Sequence, residues 1–170
     1  MTRPSGENEG AFSDLYDRYA PSLFRAAFSL TGATDLAEDA VQDVFISLFQ
    51  TGHAISEITN MKAYLFTSIR HAAVKRHRIQ SHTSLDGVED TLIDKDAHPV
   101  ESQWFPDIEK SLQSLPDDQR EAIVLKIDGD LTFDELGKAL GVNASTAASR
   151  YRYGIAKLRE RIKDQRHDEI

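Results

Sequence analysis

LTFDELGKALGVNASTAASRYRYGIAKLRERI, residues 131–162, decides the fold. Thr132 followed three residues later by Glu135 makes a capping box, in which a hydroxyl and a carboxylate satisfy free backbone N–H groups at a helix start. Phe133, Leu136 and Leu140 supply the buried side of that helix, and Gly141 provides a tight turn. A longer helix is predicted from about Ser145 to Ile162, with Ala147, Tyr151, Ile155, Leu158 and Ile162 inward. Short helix, glycine turn and longer basic helix form the helix-turn-helix arrangement. Its outer side offers Ser145, Ala148, Ser149 and Arg152, with Arg150 at the flank. Arginine near a helix N-terminus can read guanine edges in a major groove, while hydroxyls and backbone amides hold phosphates. Helical hairpins that never meet DNA also use glycine turns, so the geometry alone leaves both readings open.

Upstream of this unit, Ile108, Leu112 and Leu115 form a short apolar face that stops at Pro116. Asp117 or Asp118 is placed to cap the next helix, which carries Ala122, Ile123, Leu125 and Ile127 before Gly129. Trp104 and Phe105 are expected to pack near the start of this half. The N-terminal part is also helical. Phe12, Leu15, Tyr16, Tyr19, Leu23, Ala27 and Leu30 repeat at three and four, up to Thr31-Gly32. Pro21 interrupts that run and is expected to bend or break it. A second helix is predicted from about Thr34 to Gln50, with Leu36, Ala40, Val41, Val44, Phe45, Leu48 and Phe49 inward. A third runs from near Asn60 to about Arg78 and buries Tyr64, Leu65, Ile69, Ala72 and Ala73. Between Ile79 and Pro99 the periodicity fades into a linker rich in Ser, Asp, Thr and Gly. The fold class is all-α: two small helical domains joined by a linker.

Charge is distributed unevenly. The chain of 170 residues carries a net charge of −8, which taken globally argues against nucleic acid. Residues 61–80, however, carry five bases (Lys62, Arg70, Lys75, Arg76, Arg78) and no acid. Residues 144–163 carry six bases and one acid, Glu160. Two compact basic patches in an acidic chain suit an anionic partner. Basic residues also favour helix C-termini, which accounts for part of each patch.

The third helix spreads Lys62, Arg70, His71, Lys75 and Arg78 along its length. Basic groups beside aromatics hold single-stranded or locally melted DNA through phosphates and stacking. Tyr64 falls on the inward stripe, whereas Phe66 is the less easily buried ring and the candidate for stacking on a base. Asn60 and Lys62 stand at the loop-to-helix transition, where an extruded base could be held. The second helix has the opposite character. Glu38, Asp39, Gln42 and Asp43 form a polar acidic face that would repel DNA and suits a basic protein surface. An ordinary solvated face, favoured by the helix dipole, fits the same residues.

Several classes drop out. The chain has no cysteine, which removes disulfides, thiol nucleophiles and thiolate zinc sites. Its six histidines never take HExxH spacing, no phosphate-binding glycine loop occurs, and the carboxylates form no convincing catalytic cluster. The expectation is a non-enzyme with no metal and no cofactor. The start MTRPSGENEG lacks the apolar core of a secretory signal, and no run of eighteen apolar residues occurs. A soluble cytoplasmic protein without membrane insertion is expected.

Taken together, the chain resembles a bacterial RNA polymerase sigma factor of the extracytoplasmic-function group, in the sigma-70 family. DLAEDAVQDVFISLFQ (35–50) resembles the most recognisable sigma region 2 helix, and NMKAYLFTSIRHAAVKRHR (60–78) the helix after it. LPDDQREAIVLKIDGDLTFDELGKALGVNASTAASRYRYGIAKLRERI (115–162) resembles sigma region 4. The resemblance implies a region 2-like domain over 1–78, an acidic linker over 79–100 and a region 4-like domain over 101–170. It implies that Glu38, Asp39, Gln42 and Asp43 dock on core RNA polymerase. Asn60, Lys62, Phe66, Arg70, His71, Lys75 and Arg78 would then face the minus-ten element of promoter DNA. Ser145, Thr146, Ser149, Arg150 and Arg152 would face the minus-thirty-five element. An anti-sigma factor is the further partner implied.

The chain departs from the family's common pattern in places. It has Ala147 and Ala148 where a bulkier aliphatic residue and a lysine are usual, and His71 and Lys75 where asparagine and aspartate are frequent. Asn143 replaces a common proline, although asparagine caps a helix well. The competing reading is a sigma-like regulator that sequesters an anti-sigma factor without opening promoters. A conventional helix-turn-helix repressor would bind specifically without polymerase, and fits the acidic second helix less well.

Overall fold

Helix ends fall where the backbone chemistry puts them. A computed structural model describes residues 6–83 and 106–168. The helices are α1 (Gly6–Thr31), α2 (Thr34–Gln50), α3 (Met61–Thr83), α4 (Pro106–Gln113), α5 (Asp117–Asp128), α6 (Phe133–Leu140) and α7 (Ala144–Asp168), with a 3-10 segment at Gly52–Glu57. Thr132 and Glu135 form the capping box of α6, and Gly141 ends it at φ +70°, a region that favours glycine. Asn60 accepts from the backbone N–H of Ala63 through Oδ1 at 3.1 Å, and so caps α3. Most of the predicted linker, with Trp104 and Phe105, lies outside the described residues.

Three local expectations are corrected. Pro21 sits inside a continuous α1. One missing hydrogen bond is outweighed by burial of Leu23, Ala26, Ala27 and Leu30 along the same helix. α3 runs on to Thr83 instead of stopping near Arg78. Neither Asp117 nor Asp118 caps α5, whose cap residue is Pro116. Asp117 instead accepts from Arg120 at 2.6 Å, and Asp118 stands 3.5 Å from Arg150.

The two halves share a core. Leu23, Val44, Leu48, Leu65 and Ile69 from α1–α3 belong to one buried cluster with Val124, Leu125, Leu136 and Ala147 from α5–α7. A smaller cluster of Leu112, Leu115 and Ile123 lies against Tyr151, Ile155 and Leu158. α5 joins them, which explains its weak periodicity. Residues 120–125 are buried without a break, Arg120 and Glu121 included, because other helices cover it on more than one side. Ile127, expected inside, is exposed near the end of the same helix.

α1, α4, α5 and α7 line a mostly apolar, partly open pocket of about 200 Å³ that includes Phe24, Phe28, Ile108, Leu112, Ile123 and Leu158. Arg25 and Asp128 meet at its wall across 3.8 Å, and Arg25 Nε is buried without a hydrogen bond. Burial pushes the Asp128 carboxyl from its ordinary 3.8 up to about 6; Arg25 pulls against this and the Glu109 carboxylate adds to it. A carboxyl whose pKa is raised on folding holds its proton more tightly in the folded state. Its contribution to stability is therefore full below the ordinary value of 3.8 and is lost as pH rises through about 6. Asp128→Asn, which stays neutral, should melt higher than the parent at neutral pH, by up to about 3 kcal/mol, and should match it in acid. Thermal melts across that pH range check this. A parent advantage at neutral pH would mean that the Arg25 ion pair outweighs the cost of burying the charge.

Candidate nucleic-acid interface

Helix α7 is built from its turn outward. Asn143 Oδ1 accepts from the backbone N–H of Thr146 at 2.7 Å, so asparagine does the capping in this chain. A Cβ on Gly137 of α6 would lie 2.8 Å from Val142 O and 3.1 Å from Ala144 N. Only glycine lets α6 approach the turn this closely, and that approach sets the start of α7. Phe133 and Tyr151 meet edge-on at 5.9 Å and fasten the two helices together.

Ser145, Thr146 and Arg152 are exposed, while Ser149 and Arg150 are partly covered. Arg150 is drawn towards Asp118 on α5. Ala147 is buried as expected; Ala148, expected on the outer side, is buried too. The contact arc of α7 is wide enough to cover two neighbouring positions, so the residue here is small. Tyr153 was missed by the sequence reading. It is 67% exposed and follows Thr146 by seven positions and Ser149 by four, so it extends the same face. The signal was that spacing, hidden because an aromatic in a core-like helix reads as buried.

α3 divides its candidates between two sides. His71, Lys75 and Arg78 are exposed at helical spacing and form a basic stripe. Asn60, Lys62, Phe66 and Arg70 instead meet the C-terminal half. Asn60 Nδ2 donates to Glu135 at 2.5 Å, and Lys62 Nζ donates to Asp130 O at 3.2 Å. Arg70 Nε donates to Glu121 at 2.6 Å, and its Nη1 donates to Ala139 O at 3.3 Å. Phe66, the candidate stacking platform, is 1% exposed. Its ring lies so near Gly129 that a Cβ there would approach to 3.0 Å. This corrects the reading of Phe66 as the poorly buried ring: the side of α3 that looks free in a three-helix bundle is covered by α5 and the residues after it. The N–H of Thr132 holds the Glu135 carboxyl below the usual range, helped by Asn60 and Lys62.

On α2, Glu38, Asp39, Gln42 and Asp43 are all exposed. Arg76 of α3, absent from the predicted site, pairs with Asp43 at 2.6 Å and with Asp39 at 3.3 Å. The acidic face runs on into Ile46 and Phe49, which are 54% and 52% exposed. Phe49 was expected inward; it sits at the rim of the bundle, its ring 5.5 Å from Phe12. Acidic groups beside exposed aliphatic and aromatic carbon form a surface suited to protein. Among the described residues no group of three or more His, Asp or Glu side chains could hold a metal ion, and no helix is long and apolar enough to cross a membrane.

Comparison with known proteins agrees with this geometry. The family model for sigma-70 region 2 matches residues 15–83, and that for sigma-70 region 4 matches residues 111–160. RNA polymerase sigma factor CarQ of Myxococcus xanthus is 34% identical over 160 residues, covering 89% of each chain. The chain is a sigma-70 family sigma factor of the extracytoplasmic-function group. Its general role is therefore that of a transcription-initiation factor working with RNA polymerase. ECF RNA polymerase sigma factor SigK of Mycobacterium tuberculosis is 25% identical to this sigma factor, covering 94% of it and 89% of the relative. The solved structure of the sigma factor RpoE in complex with the anti-sigma factor NepR, from Bartonella quintana, superposes at a TM-score of 0.75. That match has 28% identity and covers 90% of this sigma factor and 97% of that chain.

Proposed function

We propose that this sigma factor docks on core RNA polymerase through α2 and directs initiation at promoters of matching sequence. In this reading α3 meets the minus-ten element, α7 meets the minus-thirty-five element, and the domain organisation is that of region 2, linker and region 4. The observation that carries it is the separation of surfaces. Acidic and apolar groups are exposed together on α2, while basic and hydroxyl groups are exposed on α3 and on the capped start of α7. Strand opening draws on binding energy from captured bases and phosphates and needs no nucleotide hydrolysis. The work is cytoplasmic, where the polymerase is. An anti-sigma partner is supported by the related RpoE, solved with NepR.

Transcription by core polymerase plus purified protein across a promoter library tests the proposal. Selective transcripts are expected, and no stimulation anywhere in the library would contradict it. Arg152→Ala should reduce occupancy of the preferred promoter by roughly 10-fold or more, as loss of a base-edge contact does. Tyr153→Ala should weaken the same complex. Arg150→Ala should cost less, because Asp118 already draws that guanidinium away. Promoter binding titrated against salt for all three variants separates base contacts from phosphate contacts, which alone reduce the salt slope.

A second reading, sequestration of an anti-sigma factor without promoter opening, is favoured by the engagement of Asn60, Lys62 and Arg70 within the chain. It predicts release of another sigma factor from its inhibitor with no transcripts from this one.

A further inference from the structure

One corner of the molecule belongs neither to the acidic face of α2 nor to the basic stripes. There α1 and α4 face α5 and α7 across the partly open pocket of about 200 Å³. Phe24 and Phe28 give it two nearly parallel rings with centroids 6.4 Å apart, and Ile108, Ile123 and Leu158 add aliphatic walls. Its polar groups fall into two sets. Glu109 is fully engaged: one carboxylate oxygen accepts from Ser29 Oγ at 3.2 Å and the other from Gln113 Nε2 at 3.0 Å. Arg25 Nε is buried without a hydrogen bond, and Asp128 accepts none among the described residues. The two stand 3.8 Å apart, too far for a hydrogen bond to each other. A donor and an acceptor left unmatched side by side in an apolar pocket are costly, and both are complementary to a guest that satisfies them.

The chemistry of that guest is narrow. An anion meets two carboxylates, Asp128 and Glu109, against one guanidinium. A cation serves Asp128 but leaves Arg25 Nε without an acceptor. A neutral group with a carbonyl and an N–H on the same edge serves both. Primary carboxamides and lactams have that edge, whereas a trans peptide points its N–H and C=O in opposite directions. A void of roughly 150 Å³ takes a benzene ring, so this pocket takes one ring together with its amide.

We propose that the pocket is a binding site for a small neutral aromatic carboxamide or lactam. Its carbonyl accepts from Arg25 Nε, its N–H donates to Asp128, and its ring lies against Phe24 and Phe28. Because α1 supplies one wall and α4, α5 and α7 supply the rest, the guest ties the two halves of the chain together and stabilises the fold by mass action. The site stands apart from the surfaces assigned to polymerase and promoter and is independent of those assignments.

Benzamide is the probe, added to the full chain and followed by saturation-transfer NMR and thermal melting. It should bind with a Kd of about 1 mM or tighter, in keeping with so small a molecule. Near saturation it should raise the melting midpoint by about 3 °C. Benzoate, which replaces the N–H with a charge, and N,N-dimethylbenzamide, which lacks it, should each bind at least roughly 10-fold more weakly. Arg25→Met removes the donor at a partly exposed side chain. It should weaken benzamide by roughly 10-fold and leave ethylbenzene, a probe with no polar head, unchanged. Ile108→Trp fills the pocket and should abolish binding of both. Circular dichroism checks that this variant is folded; if it is not, the Arg25→Met contrast decides alone. No saturable binding of benzamide, equal binding of the three polar probes, or binding that Arg25→Met leaves unchanged overturns the proposal. Binding that survives in folded Ile108→Trp puts benzamide elsewhere and overturns it too.

Discussion

Phe66→Ala should destabilise the free protein by about 3–5 kcal/mol, as truncation of a fully buried aromatic does. At roughly 2–4 °C per kcal/mol for a chain of this size, the melting midpoint should fall by about 10 °C. The ring lies between the two halves beside Gly129, so the loss falls on the interface as well as on the N-terminal bundle. A role as an exposed base platform predicts the reverse pattern, with melting unchanged and promoter opening impaired. Phe66→Leu separates the two, because it preserves most of the apolar volume and should recover most of the stability while removing the aromatic face. Thermal melting of the two variants beside the parent decides the matter.

Asp39→Ala combined with Asp43→Ala should leave the fold nearly untouched and remove most of the affinity for core RNA polymerase. The two carboxylates meet Arg76 at an exposed site, and such pairs are worth about 1 kcal/mol or less each. Charges buried against a partner carry more, and their removal should weaken polymerase binding by roughly 30-fold or more. Affinity for promoter DNA in the absence of polymerase should not change. Binding of the labelled double variant to core enzyme, followed by anisotropy, measures the effect. Loss of DNA affinity alone would mean that α2 has been assigned to the wrong partner.

Much of the fold is legible in local chemistry. The capping box at Thr132 and Glu135, the Gly141 turn and the start of α2 at Thr34 are decided within a few residues, and they stand where the sequence puts them. What the sequence hides is non-local. Nothing near Phe66 or Glu121 announces that α5 will cover α3, since a ring off the main stripe and a carboxylate in a helix both read as surface. Ala148 and Phe49 fail for a related reason. The width of a buried arc depends on which helix comes to rest against it, and periodicity gives its centre better than its edges. The candidate site follows the same division. The residues at the start of α7 are fixed by their own turn and are exposed, whereas Asn60, Lys62 and Arg70 are each engaged by a group from the other half of the chain.

The most direct measurement uses photo-cross-linkers at Gln42, His71 and Arg152, one at a time, in an active initiation complex. The probe on α2 is expected to capture polymerase, while those on α3 and α7 are expected to capture promoter DNA upstream of the start site. Capture of DNA from residue 42, or of no DNA from both 71 and 152, would contradict this division of surfaces.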